Sequence, residues 1–138
     1  MMDKSFMRGN ADQARVARVA TVDGRGHVHL VPVTFALSED VWYSPTDAGE
    51  RLAKRLRNLT CDPRVSILID VYDDDWSKVW WVRMHGSGRI VLDSPERDHA
   101  WRLLRAKYPQ FASTPSDEGA GPVMAVDVHH WAVWSYSG

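Results

Sequence analysis

Arg15-Val16-Ala17-Arg18-Val19-Ala20-Thr21-Val22, then Asp23-Gly24-Arg25-Gly26, then His27-Val28-His29-Leu30-Val31-Pro32-Val33-Thr34-Phe35-Ala36-Leu37, is the stretch from which the fold is read. The first segment is rich in β-branched residues and reads as a strand, with Val16, Ala20 and Val22 on one face. Asp-Gly between two apolar runs is a hairpin signal, because a tight turn needs a residue that accepts positive φ. The second segment is a strand whose apolar run is nearly continuous from Leu30 to Val33, as expected where both faces are covered. Pro32 has no N–H to give to a ladder, so this strand has an edge or a bulge there.

Working outward, Ser38-Glu39-Asp40 turns the chain and Val41-Trp42-Tyr43-Ser44 is a third strand. Asp47 to Cys61 reads as a helix, with Leu52, Leu56 and Leu59 at helical spacing, stopped by Asp62-Pro63. Arg64 to Tyr72 is a fourth strand, and Asp73-Asp74-Asp75 a loop. Val79 to Leu92 is a long fifth strand, whose Gly86 and Gly88 permit a bend or bulge. Ser94-Pro95-Glu96 starts a helix, with serine as N-cap, proline at the first position and acid in the first turn. That helix runs to Tyr108 and Pro109 ends it; residues 112–122 read as a mobile loop. Val123 to Tyr136 is a last strand pair or one kinked strand. The sum is a mainly β chain with flanking helices, about six antiparallel strands that meander into a barrel. One domain spans 1–138, with residues 1–14 an N-terminal arm or short helix.

Composition narrows the functional classes. The 138 residues carry 17 Lys+Arg against 18 Asp+Glu, a net charge of -1, which argues against a strongly basic nucleic-acid binder. Cys61 is the single cysteine, so no internal disulfide is possible and the compartment reads as reducing. No apolar run approaches the ~20 residues that span a bilayer, and the N-terminus lacks the apolar core of a secretory signal. The expectation is a cytoplasmic protein with no membrane or nucleic-acid partner.

Four constellations bear on chemistry. Lys54-Arg55-Leu56-Arg57 is either the solvated face of an amphipathic helix or a phosphate site, where cations join the hydroxyls of Ser44 and Thr46. Five of seven tryptophans cluster, Trp76, Trp80 and Trp81, then Trp131 and Trp134. They suit a core and interface, or a wall for a flat heterocycle. Neighbours Trp80 and Trp81 point to opposite faces of their strand. His27 and His29 share a strand face, but no third metal ligand is advertised. Asp70 and Asp73–Asp75 lack the glycine and closing glutamate of a calcium loop. No nucleophile elbow appears, and Cys61 beside Asp62 at a helix end is poorly placed to ionise.

Arg18 to Phe35 resembles the opening hairpin of the pyridoxamine 5'-phosphate oxidase-like superfamily. Lys54 to Ser66, a helix followed by Asp-Pro-Arg-Val-Ser, does so too. The run from Asp70 to Arg83, with Asp-Asp-Trp-Ser and Trp-Trp-Val-Arg, resembles an actinobacterial branch classed as deazaflavin (coenzyme F420)-dependent enzymes. The resemblance implies an FMN-binding type of split β-barrel, a homodimer with two cofactor sites at the subunit interface. By motif it implies phosphate-binding residues Tyr43, Ser44, Lys54 and Arg55. It implies a ring lying along Leu30, Val31, Pro32 and Val33, approached by Trp134. The oxidase branch's final arginine-containing segment has no counterpart up to Gly138, so pyridoxamine phosphate is not the expected substrate. The function implied is hydride transfer from reduced F420 to a small conjugated or heteroaromatic acceptor. Two alternatives stand beside it: an FMN-dependent reductase or oxidase, and a non-catalytic carrier of a flavin, deazaflavin, haem or pigment.

Overall fold

The opening hairpin forms as its sequence indicates. Strands β1 (Ala17–Val22) and β2 (Val28–Val33) pair antiparallel, from Ala17 opposite Val33 to Val22 opposite Val28. Asp23 closes the turn: its Oδ1 accepts from the backbone N–H of Arg25 at 2.8 Å and of His27 at 2.9 Å. Gly26 takes φ 82, the left-handed conformation that glycine adopts without a Cβ penalty. The computed structural model describes residues 4–46, 53–112 and 121–138.

The remaining strands are β3 (Ala36–Ser38), β4 (Val41–Pro45), β5 (Arg64–Val71), β6 (Trp80–Val91) and β7 (Val123–Ser135). All seven lie in one sheet, in the order β2-β1-β5-β6-β7-β4-β3, and every pairing is antiparallel. The sheet curls into a split barrel. Pro32 sits on β2, an end strand, where the missing N–H breaks no ladder. The helices are α1 (Lys4–Gln13), α2 (Lys54–Leu59) and α3 (Pro95–Lys107). No helix of the described residues is long and apolar enough to cross a membrane.

Two expectations are corrected. The described residues form seven strands, because the segment read as one strand over His27–Leu37 breaks at Thr34-Phe35. Phe35 is fully buried, and its N–H goes to the Tyr108 hydroxyl at 3.2 Å instead of to a ladder. Ala17, Val19 and Thr21 form the inward face of β1, and Val16, Ala20 and Val22 share the opposite one. Thr21 is tolerated inside because its Oγ1 accepts from Asn58 Nδ2 at 3.0 Å, and a period of two then carries the other face outward. The helix read over Asp47–Cys61 is observed as α2 alone; residues 47–52 lie outside the described residues, as do 113–120 of the expected loop.

Two apolar compartments result. The barrel interior holds Val19, Phe35, Trp42, Ile67, Ile69, Val82, Met84, Met124 and Val126, plugged by Leu56 and Leu59 of α2 and Ala11 of α1. The second lies outside β4, β7 and β6, where α3 lays Ala100, Trp101 and Leu104 against Tyr43, Val91, Val123 and Ala125. Ser94 caps α3 and Pro95 opens it, as read from the sequence. β7 is one strand with a register shift where it passes His85 and Gly86. A Cβ on Gly86 would stand 2.2 Å from the Asp127 carbonyl oxygen, so the irregularity demands glycine.

Candidate functional site

Burial of Leu56 and Leu59 fixes how α2 sits, and that leaves Lys54 and Arg57 in solvent. Arg55 is half-buried and its Nη2 donates to the carbonyl of Pro45, the last residue of β4, at 2.9 Å. One residue earlier, the fully buried Ser44 donates its hydroxyl to the Thr34 carbonyl at 2.9 Å, just beyond β2. The ends of β4 and β2 and the start of α2 therefore meet at one corner.

His29 completes it. The hairpin register sets it opposite Thr21, whose side chain holds Asn58 of α2. Its Nδ1 is buried and has no hydrogen-bond partner among the described residues. Burial first, then the charges of Lys54 and Arg55, hold its pKa below the ordinary histidine value. Lys54 also acts on Asp23, whose carboxyl is held low mainly by the backbone N–H groups of His27 and Arg25. Lys54 and Arg55 offer N–H donors suited to an oxyanion, and the imidazole joins them as a donor when Nδ1 carries a proton. This corner fits the phosphate of a ring cofactor.

The other predicted residues divide between environments. Along β2, Leu30 and Pro32 are exposed, whereas Val31 and Val33 turn inward and pack on the barrel core. Tyr43 lies on the α3 side, its hydroxyl donating to Glu96 Oε2 at 2.8 Å, and burial with that bond pushes its pKa up to about 12. Arg89 anchors the same cluster, giving Nη1 to Glu96 at 2.6 Å and Nε to Asp127 at 2.8 Å. Trp134 stands on the open face of the sheet opposite Trp81. β1, β5 and β6 separate it from β2, four strand spacings or roughly 19 Å away across the sheet. Within one chain, Trp134 and the basic corner are not brought together, nor does the Tyr43 hydroxyl face that corner.

His29 was legible in the sequence only as a partner of His27. The structure places His27 in the turn, 3.5 Å from the Asp23 carboxylate and exposed, so the two rings do not act as a pair. The signal that finds His29 is alternation, because it shares a face with Val31 and Val33. Among the described residues, no group of three or more His, Cys, Asp or Glu could hold a metal ion.

The open face carries Val28 and Leu30, 68% and 65% exposed, with Ala20, Leu68, Trp81 and Trp134 on the later strands and Arg18, Asp70 and Arg83 interleaved among them. A curled antiparallel sheet of this order, with basic residues beside its edge strand, defines a split barrel. The sequence profile of the pyridoxamine 5'-phosphate oxidase family matches residues 5–135, and the chain belongs to that family.

Solved structures agree on the fold. A conserved hypothetical protein of Mycobacterium tuberculosis superposes with a TM-score of 0.80 at 20% identity, over 98% of this chain and 86% of that one. The haem storage protein HutZ of Vibrio cholerae gives 0.75 at 15% identity, over 98% and 95%. A FAD-binding protein of Mesorhizobium loti gives 0.66 at 20% identity, over 96% and 92%. Among curated proteins, none matches the chain in sequence.

Proposed function

We propose that the chain is a cytoplasmic, homodimeric oxidoreductase that binds coenzyme F420 and passes hydride to a small conjugated or heteroaromatic substrate. The observation that carries this reading is the basic corner of His29, near the start of β2, with Lys54 and Arg55 of α2. β2 is an end strand, so the outer edge of Val28–Val33 has no strand partner among the described residues. Its free backbone groups are available to a flat ring, and Lys54 and Arg55 hold the phosphate that anchors it. Ser44 acts from behind, tying the end of β4 to Thr34, and Tyr43 braces the same strand through Glu96. The cofactor, when bound, supplies the hydride; the chain supplies position, charge and exclusion of water.

A second copy of the chain is part of the reading. The open face, with Val28, Leu30 and Trp134 exposed and Trp81 half-buried, is the surface that a second copy would cover in this reading, bringing Trp134 of one copy toward β2 of the other. An FMN-dependent activity is the second reading, favoured by the FAD-binding structural neighbour. Storage without turnover is favoured by the haem storage neighbour.

Titration of the purified protein with F420 and with FMN, followed by fluorescence, tests the assignment. F420 is expected to bind more tightly, and Lys54→Ala with Arg55→Ala to weaken it by about 2–4 kcal/mol without unfolding the dimer. Unchanged affinity in the double variant overturns the site, and tighter FMN binding transfers the reading to FMN.

A further inference from the structure

We propose that His29 is the third member of the phosphoryl-binding corner: its ring takes up a proton as the anion arrives, and Nδ1–H donates to a phosphate oxygen. This rests on the reading of Lys54 and Arg55 as the phosphate anchors. It goes further by assigning a residue that no family motif in the chain points to, and a proton that accompanies binding.

The geometry begins with the orphan atom. Nδ1 of His29 is buried with no partner among the described residues, a destabilising state that a native structure keeps where something else occupies it. Its cross-strand neighbour Thr21 is fully buried and bonded to Asn58, which ties this part of β1 to α2. Charged groups reach the corner from two elements. Lys54 and Arg55 come from α2, and both oppose a charge on the imidazole. Asp23 and His27 come from the hairpin turn; Asp23 Oδ1 is taken by two backbone N–H groups and Oδ2 faces His27 at 3.5 Å. Burial and the two cations together keep the ring neutral near pH 7. An arriving phosphoryl group reverses the sign of the local field. The proton comes from solvent, no bond to phosphorus changes, and the corner gains a charge-assisted hydrogen bond.

Affinity for a phosphorylated ligand must then fall as pH rises, because the proton is harder to supply. Two ligand classes share the chemistry, the phosphate monoester of FMN and the phosphodiester of F420. Riboflavin lacks the group and serves as a control.

The test follows the ring nitrogens of the histidines by NMR from pH 5 to 9, alone and with inorganic phosphate, FMN, F420 or riboflavin. Expected is a His29 midpoint that rises by about one pH unit or more with each phosphorylated ligand, and stays put with riboflavin. In parallel, His29→Gln is expected to weaken F420 binding about tenfold at pH 6 and hardly at all at pH 9. A merely structural histidine would show no ligand-dependent midpoint. If F420 or FMN binds through Lys54 and Arg55 while the His29 midpoint stays fixed, this inference falls and the functional reading stands. If neither cofactor binds but inorganic phosphate moves His29, the anion corner stands and the cofactor reading falls. If no ligand moves His29 and none binds, both fall.

Discussion

Lys107 is the least comfortable charge in the described structure, and replacing it with methionine should stabilise the protein at neutral pH. Its Nζ is buried without a hydrogen-bond partner, 3.7 Å from the centroid of the Phe35 ring. Two effects compete. The ring favours the ammonium by ~0.5–2 kcal/mol. Removal from water disfavours it by more, and Arg15 opposes it while Asp12 favours it. Desolvation wins, and the pKa falls from 10.5 to about 8. In a dry site that drop is worth ~3 kcal/mol; solvent reaches part of the side chain, so about 1–2 kcal/mol remains.

Between pH 8 and 10.5 the unfolded chain binds more protons at Lys107 than the native one, so stability rises with pH across that window. Below pH 8 the penalty is present in full. Urea unfolding of wild type and Lys107→Met, read by tryptophan fluorescence at steps from pH 7 to 10.5, isolates it. Expected is a variant more stable by about 1–2 kcal/mol at pH 7, with the gap closing by pH 10.5. A gap independent of pH, or a variant less stable at pH 7, refutes the argument and gives the decision to the aromatic ring.

Gly86→Ala would drive a Cβ into the Asp127 carbonyl, and should lower stability by about 2–4 kcal/mol in denaturant titration. Tyr43→Phe removes the bond to Glu96, and should shift the midpoint by about 1 kcal/mol while leaving ligand affinity unchanged in a fluorescence titration. Val28→Asp with Leu30→Asp places charge on the open face. Sedimentation velocity should then report monomers with native circular dichroism, whereas a persisting dimer would move the interface elsewhere.

What could be read from the sequence was local. Asp23-Gly24 announced the hairpin, Pro32 an edge, and Ser94-Pro95 the start of α3, because each acts within a few residues of itself. What escaped local reading was set by distant partners. Thr21 faces inward because Asn58 bonds it from 37 positions away, and β2 ends because the Tyr108 hydroxyl takes the Phe35 N–H from 73 away. The site divides in the same way. Lys54 and Arg55 are marked by a run of charge, while His29 gains its character from burial and from neighbours on another element. Tyr43 was named for a phosphate, yet its hydroxyl belongs to a carboxylate on α3.

The backbone of β4 and β7 serves both apolar compartments at once. Met124 and Val126 point into the barrel, and Val123 and Ala125, between them, hold α3. Neither compartment can melt while the other stays whole, because the same peptide groups would have to remain fixed and come free together. The chain is thus built to unfold as one cooperative unit, and slackening α3 from outside should lower the stability of the barrel with it.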